Sequence, residues 1–363
     1  MVTKKQHYVP QLLLRRFATP HGSESRINVY DFERQQYRKN QNIRDVCSSN
    51  YTYDTNNSFE RFLSEHVESP AGSALEILAQ TQDRTDPRPS AALLRFLLVQ
   101  LARTRQMYES SLNFTNAWMQ TIFAEVARLN GLDEATAREL HIQPSEPREV
   151  LAYLAAYAAT QYRLISDLNL ALVLNQTRVE FILSDHPVFQ HNWYLRESAH
   201  PMAGSITVRG VQFFLPLSPS VTCCLYDPSV YLYGQATEGA VINATEGDVG
   251  LLNSFQAINA GSLLLARSAT MEAVLSSLGS RYADSTSFFE SATYVPASVR
   301  EDGTLRSTHL TQRKQTRLPA MPAFVKIKNK VRSQTIECVH RCPENVAAHK
   351  MFDESLRRQR NAP

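Results

Sequence analysis

The sequence predicts an α+β protein: an N-terminal strand and helix unit, a central helical block at about residues 59–165, and a C-terminal mixed, largely antiparallel sheet. Two changes of period carry that expectation. Short alternating segments before residue 46 give way to helical spacing from Ser58, and from Leu168 the period returns to two. Composition agrees: 43% hydrophobic and 20% charged residues in a 363-residue chain support a buried core and exclude disordered, collagen-like and coiled-coil classes.

At the N-terminus Pro10 suits a first helical turn, so Pro10–Phe17 is expected as a short helix sending Leu12, Leu13 and Leu14 into a core. RINVYDF (26–32) and QQYRKNQNIRDV (35–46) predict two strands with turn chemistry around Asp31–Gln35. Helical spacing over 58–80, broken near Pro70 and Gly72, opens the helical block. Pro87 and Pro89 punctuate the chain. Beyond them Leu93, Leu94, Leu97, Leu98 and Leu101 form one broad stripe, predicting a long buried helix that continues towards Leu129 and stops at Gly131. A short helix over 133–141 and a third after Ser145 and Pro147 complete the block. LNLALVLN (168–175) and RVEFILSD (178–185), separated by Gln176–Thr177, predict a hairpin whose second strand ends at Asp185. ITVRGVQFFLPLS (206–218) and VTCCLYD (221–227) are further strands, 247–268 returns to helical spacing, 281–320 reads as loop, and 345–360 reads as a polar helix.

The net charge of +3 is too small for a whole-molecule field that drives binding to nucleic acid or anionic lipid. Its distribution is uneven. Residues 301–363 hold thirteen Lys and Arg against six Asp and Glu, and residues 1–60 hold nine against six, which leaves 61–300 at −7. A basic tail on an acidic body suits an anionic partner, nucleic acid included, or contact between the two parts. The centre of the tail is Lys326, Lys328, Lys330 and Arg332 in FVKIKNKVR, where alternation puts the three lysines on one side of a strand. Such a face is either a contact surface or a solvated edge kept from aggregating. Five cysteines without framework spacing predict reduced thiols. Cys338, His340 and Cys342 supply three zinc donors, but a closed site needs a fourth and C-x-H-x-C is not a usual spacing. No apolar run approaches the ~20 residues of a membrane helix, and MVTKKQHYVP lacks a signal's apolar stretch, so a cytoplasmic location without membrane contact is expected.

Four blocks stand out by their order: K-x-H-Y-V-P-Q-x-x-L-R-x-F at Lys5–Phe17, S-D-H-P-V at Ser184–Val188, L-P-L-S-P at Leu215–Pro219 and L-L-N-x-x-Q at Leu251–Gln256. Together they resemble the bacterial domain of unknown function 4238 family. Pieces at Ile27–Asp31, Phe59–Glu60 and Leu101–Thr104 extend the resemblance over most of residues 5–270. This divides the chain into a family-like region, 1–270, and a C-terminal extension, 271–363, with the basic strand and the terminal helix. His186 stands where the family pattern has Asn. The resemblance implies a bacterial protein without an assigned activity, and no chemistry.

Chemistry rests on single residues. His7, flanked by Lys4, Lys5 and Arg15, suits a neutral general base; the alternative is a backbone hydrogen bond that pins the start of the helix. Asp185, at the end of an apolar strand, suits a metal ligand or general base, whereas Ser184 and Asp185 before Pro187 equally suit an Asx-turn. Glu60, with Glu65 and Glu68, adds oxygens for Mg²⁺ or Mn²⁺ or forms a solvated helix face. Arg15, Arg103 and Arg105 suit a phosphate or a helix end, and Asn253 suits a substrate contact or a core hydrogen bond. The chain lacks G-x-x-x-x-G-K-[ST], G-x-G-x-x-G after a strand, H-E-x-x-H and G-x-S-x-G, which argues against ATP-driven, dinucleotide-dependent, zincin and typical serine-hydrolase activities.

Two functions follow as expectations. One is a metal-assisted phosphodiester hydrolase, nuclease-like, with Asp185 and Glu60 on Mg²⁺ or Mn²⁺, His7 as general base, and Arg15 or Arg103 on the phosphate, His7, Asp185 and Asn253 meeting between the two halves. The other is a non-catalytic nucleic-acid or protein binding module that uses the basic C-terminal region.

Overall fold

A computed structural model describes residues 5–50, 56–80, 88–131, 147–198, 200–235, 240–283, 293–299, 305–310, 318 and 320–360. The chain begins with β1 (Lys5–His7), α1 (Gln11–Leu14), β2 (Thr19–His21), β3 (Glu24–Asp31), β4 (Gln36–Asn42) and β5 (Ser48–Asn50). The helical block follows as α2 (Ser58–Leu63), α3 (Ser69–Gln80), α4 (Ala91–Ala102), α5 (Arg105–Leu129) and α6 (Pro147–Thr160). Next come β6 (Asn169–Leu174), β7 (Leu183–Ser184), β8 (Phe189–His191), β9 (Gln212–Ser218), β10 (Val221–Tyr226), β11 (Tyr231–Tyr233) and β12 (Ala240–Asn243). The chain continues through α7 (Glu246–Asn259), β13 (Leu263–Ala266), α8 (Glu272–Arg281), β14 (Thr293–Val299), β15 (Leu305–Leu310), β16 (Val325–Ile327), α9 (Asn329–Arg332) and α10 (Pro343–Arg360). The α+β expectation holds.

A five-stranded sheet in the order β12-β6-β10-β9-β8 forms the spine, antiparallel except where β12 lies parallel to β6. Its strands are apolar on both faces because both are covered. Leu170, Leu172, Phe213, Leu215, Cys223 and Leu225 face the core shared with the helical block and the N-terminal segment. Their neighbours Ala171, Val173, Phe214, Cys224 and Tyr226 face a second core, where α7 contributes Val249, Leu252 and Phe255. A second sheet, β2-β3-β13-β7 with β4 also on β3, joins the N-terminus to the segment after α7.

Five expectations are corrected. The helical spacing expected over 247–268 ends with α7 at Asn259, and Leu263–Ala266 instead form β13, paired with β3. The long leucine-stripe helix is two helices, broken at Arg103 and Thr104; the Thr104 hydroxyl accepts from the Met107 amide at 3.4 Å and so caps α5. The hairpin of 168–185 does not form, because β6 pairs with β10 and β12 while β7 pairs with β13, and Ile182 and Ser184 bond α7 side chains. The 281–320 loop contains the β14–β15 hairpin. In FVKIKNKVR the strand ends at Ile327, since burying Val331 turns the chain into α9. The helix expected over 133–141 lies outside the described residues. Gly131 ends α5 as expected, with φ +82°, a left-handed conformation that glycine adopts without strain.

Candidate functional site

The sequence motifs converge, from distant parts of the chain, on the break between α4 and α5. The Tyr8 amide donates to the Cys47 carbonyl at 3.0 Å, and the Tyr8 carbonyl accepts from Gln100 Nε2 at 3.0 Å. Gln100 Oε1 in turn accepts from Arg103 Nε at 2.8 Å, and Arg103 Nη1 reaches Glu68 Oε1 at 2.7 Å. Arg103 is a core residue at 1% exposure, so this guanidinium braces the N-terminal block against the helical block and is not presented to a phosphate.

His7 borders the same ion pair. Its Nε2 donates to the Ile43 carbonyl at 3.2 Å, which makes Nδ1 the basic nitrogen. Burial is the main cause holding its pKa below 6.5; the Ile43 carbonyl and Glu68 oppose the shift, and Arg103 and Lys5 add to it. The imidazole is therefore neutral at pH 7. The hydrogen bond to the Ile43 carbonyl is the backbone role weighed from sequence.

Thr104 connects this cluster to the Ser184–Val188 motif, its hydroxyl lying 2.5 Å from His186 Nδ1. Asp185 is fully buried and committed. Its Oδ1 accepts from the Gly261 amide at 2.8 Å, and its Oδ2 accepts from the Ser262 amide at 2.8 Å and hydroxyl at 2.9 Å. Burial raises its pKa above 3.8 against the pull of these donors. A Cβ on Gly261 would lie 3.2 Å from Oδ2 and 3.4 Å from Gln106 Cβ, so glycine permits this close approach. The carboxylate thus closes a turn around residues 261–262, a longer-range version of the turn role weighed from sequence.

Asn253 takes the structural role as well: Oδ1 accepts from the Ile182 amide at 3.0 Å, and Nδ2 donates to the Glu180 carbonyl at 2.9 Å. Gln256 does the same for Ser184, whose amide and hydroxyl donate at 3.0 and 2.9 Å, and for the Pro187 carbonyl. Asn259 donates to the carbonyls of His186 and Val188. These side chains replace the missing strand partner. Sequence reasoning missed Gln100, Thr104, Gln256 and Asn259; a polar residue at every third position of an apolar helix, 253, 256 and 259, was the available signal.

The other candidates are dispersed. Arg15 is exposed and binds Gln11 Oε1 at 2.9 Å. Glu60 is half-buried in α2. Among the described residues no group of three or more His, Cys, Asp and Glu is placed to hold a metal ion. His340 Nδ1 is 3.0 Å from the Thr207 hydroxyl, and Cys342 Sγ donates to Glu344. No described helix is long and apolar enough to cross a membrane.

The basic segment gathers differently from expectation. Lys326, Lys328, Lys330 and Arg332 line, with Leu232, one concavity of about 370 Å³ where β16 passes into α9. Lys328 Nζ donates to the Pro228 carbonyl, whereas Lys326, Lys330 and Arg332 are exposed, and among the described residues none of the four is ion-paired.

Residues 5–270 match the model of a family described as a protein of unknown function, DUF4238. The chain belongs to that family. No curated protein and no solved structure matches it. In this DUF4238 protein the buried braces at Arg103, Asp185 and Asn253 all lie inside the matched span, and the basic concavity takes its four cations from beyond it.

Proposed function

We propose that this DUF4238 chain is a cytoplasmic bacterial binding module whose basic concavity contacts the phosphate backbone of a nucleic acid. One observation carries the reading: four cations without carboxylate partners among the described residues surround a single concavity. The five thiols, three of them buried, suit a reducing compartment. Labelled single-stranded and duplex oligonucleotides titrated by anisotropy across a salt series test it. With three exposed cations engaged, log affinity should fall against log salt with a slope of roughly −2 to −3, and the K326E/K330E/R332E variant should flatten that slope. Failure of both oligonucleotides to bind at low salt, or a variant that binds as well as the parent, rejects it.

A second reading, a phosphodiester hydrolase, is supported by His7, a neutral imidazole beside Glu68 and Arg103. Asp185 does not serve it, with its oxygens held by Gly261 and Ser262. Cleavage of an oligonucleotide with Mg²⁺ or Mn²⁺, lost in His7→Gln, would favour this reading over the first; no cleavage by the parent protein rejects it.

A further inference from the structure

A larger cavity, of about 640 Å³, lies between the helical block and α10 and shares no lining residue with the basic concavity. Its size is that of a small-molecule site. Tyr153 and Tyr157, one turn apart on α6, stack with their planes 4° apart while remaining 60% and 42% exposed. Such broad rings held open to water in parallel offer a platform for a planar ligand. Phe62 and Phe352 add aromatic surface from α2 and α10.

Charge sits beside these rings. Arg95 lies over the Tyr162 ring at 4.8 Å, and Arg163 lies 5.8 Å from Tyr162 and 5.7 Å from Phe352. Among the described residues neither guanidinium is ion-paired. The one carboxylate among the lining residues, Asp353, already accepts from the Tyr157 hydroxyl at 3.2 Å. Two arginines prearranged on aromatic faces without counter-charges match a ligand that joins a planar heteroaromatic ring to an anion. The opposing Asp353 favours one phosphate over a di- or triphosphate. Phe352, Asp353 and Leu356 come from beyond residue 270, so this wall is supplied by the C-terminal extension.

We propose that this cavity is a nucleoside monophosphate site, with the base on the tyrosine platform and the phosphate on Arg95 and Arg163. Calorimetric titration of the full chain with AMP, GMP, CMP and UMP, beside the matching nucleosides and inorganic phosphate, tests it. At least one nucleotide should bind with a Kd below about 1 mM, and its nucleoside and phosphate alone should each bind about tenfold or more weakly. Arg163→Gln and Tyr153→Ala change exposed side chains and should each cost about tenfold in affinity with unchanged melting. The K326E/K330E/R332E variant should bind the nucleotide like the parent, which separates this site from the basic concavity. The proposal is overturned if none of the four nucleotides binds, if phosphate alone matches them, if both cavity variants bind like the parent, or if the basic-cluster variant abolishes binding.

Discussion

Replacing Asp185 by alanine tests whether the Ser184–Val188 motif builds the fold or performs chemistry. The substitution removes the acceptor of two main-chain amides, Gly261 and Ser262, and of one hydroxyl. Each buried N–H left unsatisfied costs about 1–3 kcal/mol, and the hydroxyl can turn to another acceptor. Gly261 and Ser262 are half-buried, so water recovers part of the loss, and the raised pKa of Asp185 means that desolvation already offsets part of what the bonds contribute. The expected cost is therefore about 2–3 kcal/mol in urea denaturation. Asp185→Asn keeps one acceptor oxygen but sets an amide NH₂ near the Ser262 N–H, for a smaller loss of about 1 kcal/mol. The pH dependence has a definite sign. Because the folded pKa lies above 3.8, protonation of Asp185 adds a pH-linked increment of stability that is fully present below 3.8 and is lost as pH rises through the folded value, while the hydrogen bonds remain; asparagine removes this dependence. An alanine variant within about 0.5 kcal/mol of the parent would refute the structural role, since surface changes fall in that range.

Arg341 fastens the C-terminal extension to the body: it chelates Asp167 through Nε at 2.5 Å and Nη2 at 3.0 Å, and donates to the carbonyls of Leu164, Ile206 and Val208. Arg341→Ala should cost about 2–4 kcal/mol, somewhat below the roughly 3–5 kcal/mol of a fully buried broken pair because Asp167 is partly exposed, and should speed proteolytic release of residues 343–360; an unchanged digestion pattern contradicts this. His7 titrates in the opposite sense to Asp185. Its folded pKa lies below 6.5, so the unfolded chain binds the proton more readily and stability is lost as pH falls below about 6.5. His7→Gln should flatten the stability profile there, and a profile identical to the parent's would show that burial of the imidazole is not the source.

Local burial period and special backbone positions are written in the sequence, which is why β3, β4, β9, β10, α10 and the stop at Gly131 were legible. The hairpin of 168–185 was misread for a physical reason: an apolar run records that a segment is buried without recording what satisfies its amides. In this fold Asn253 and Gln256 satisfy them from a helix some seventy residues downstream. The break in the leucine stripe was hidden likewise, because Thr104 finds His186 only across the tertiary fold. The basic segment kept its composition but changed its geometry once burial of Val331 turned the chain into α9. The sequence by itself determined the fold class and the family. Tertiary structure alone decided that Asp185 closes a turn, that Arg103 is a brace, and that rings and guanidinia from separate helical segments enclose one cavity. A polar side chain's role depends on which partner reaches it, and these partners lie far away along the chain.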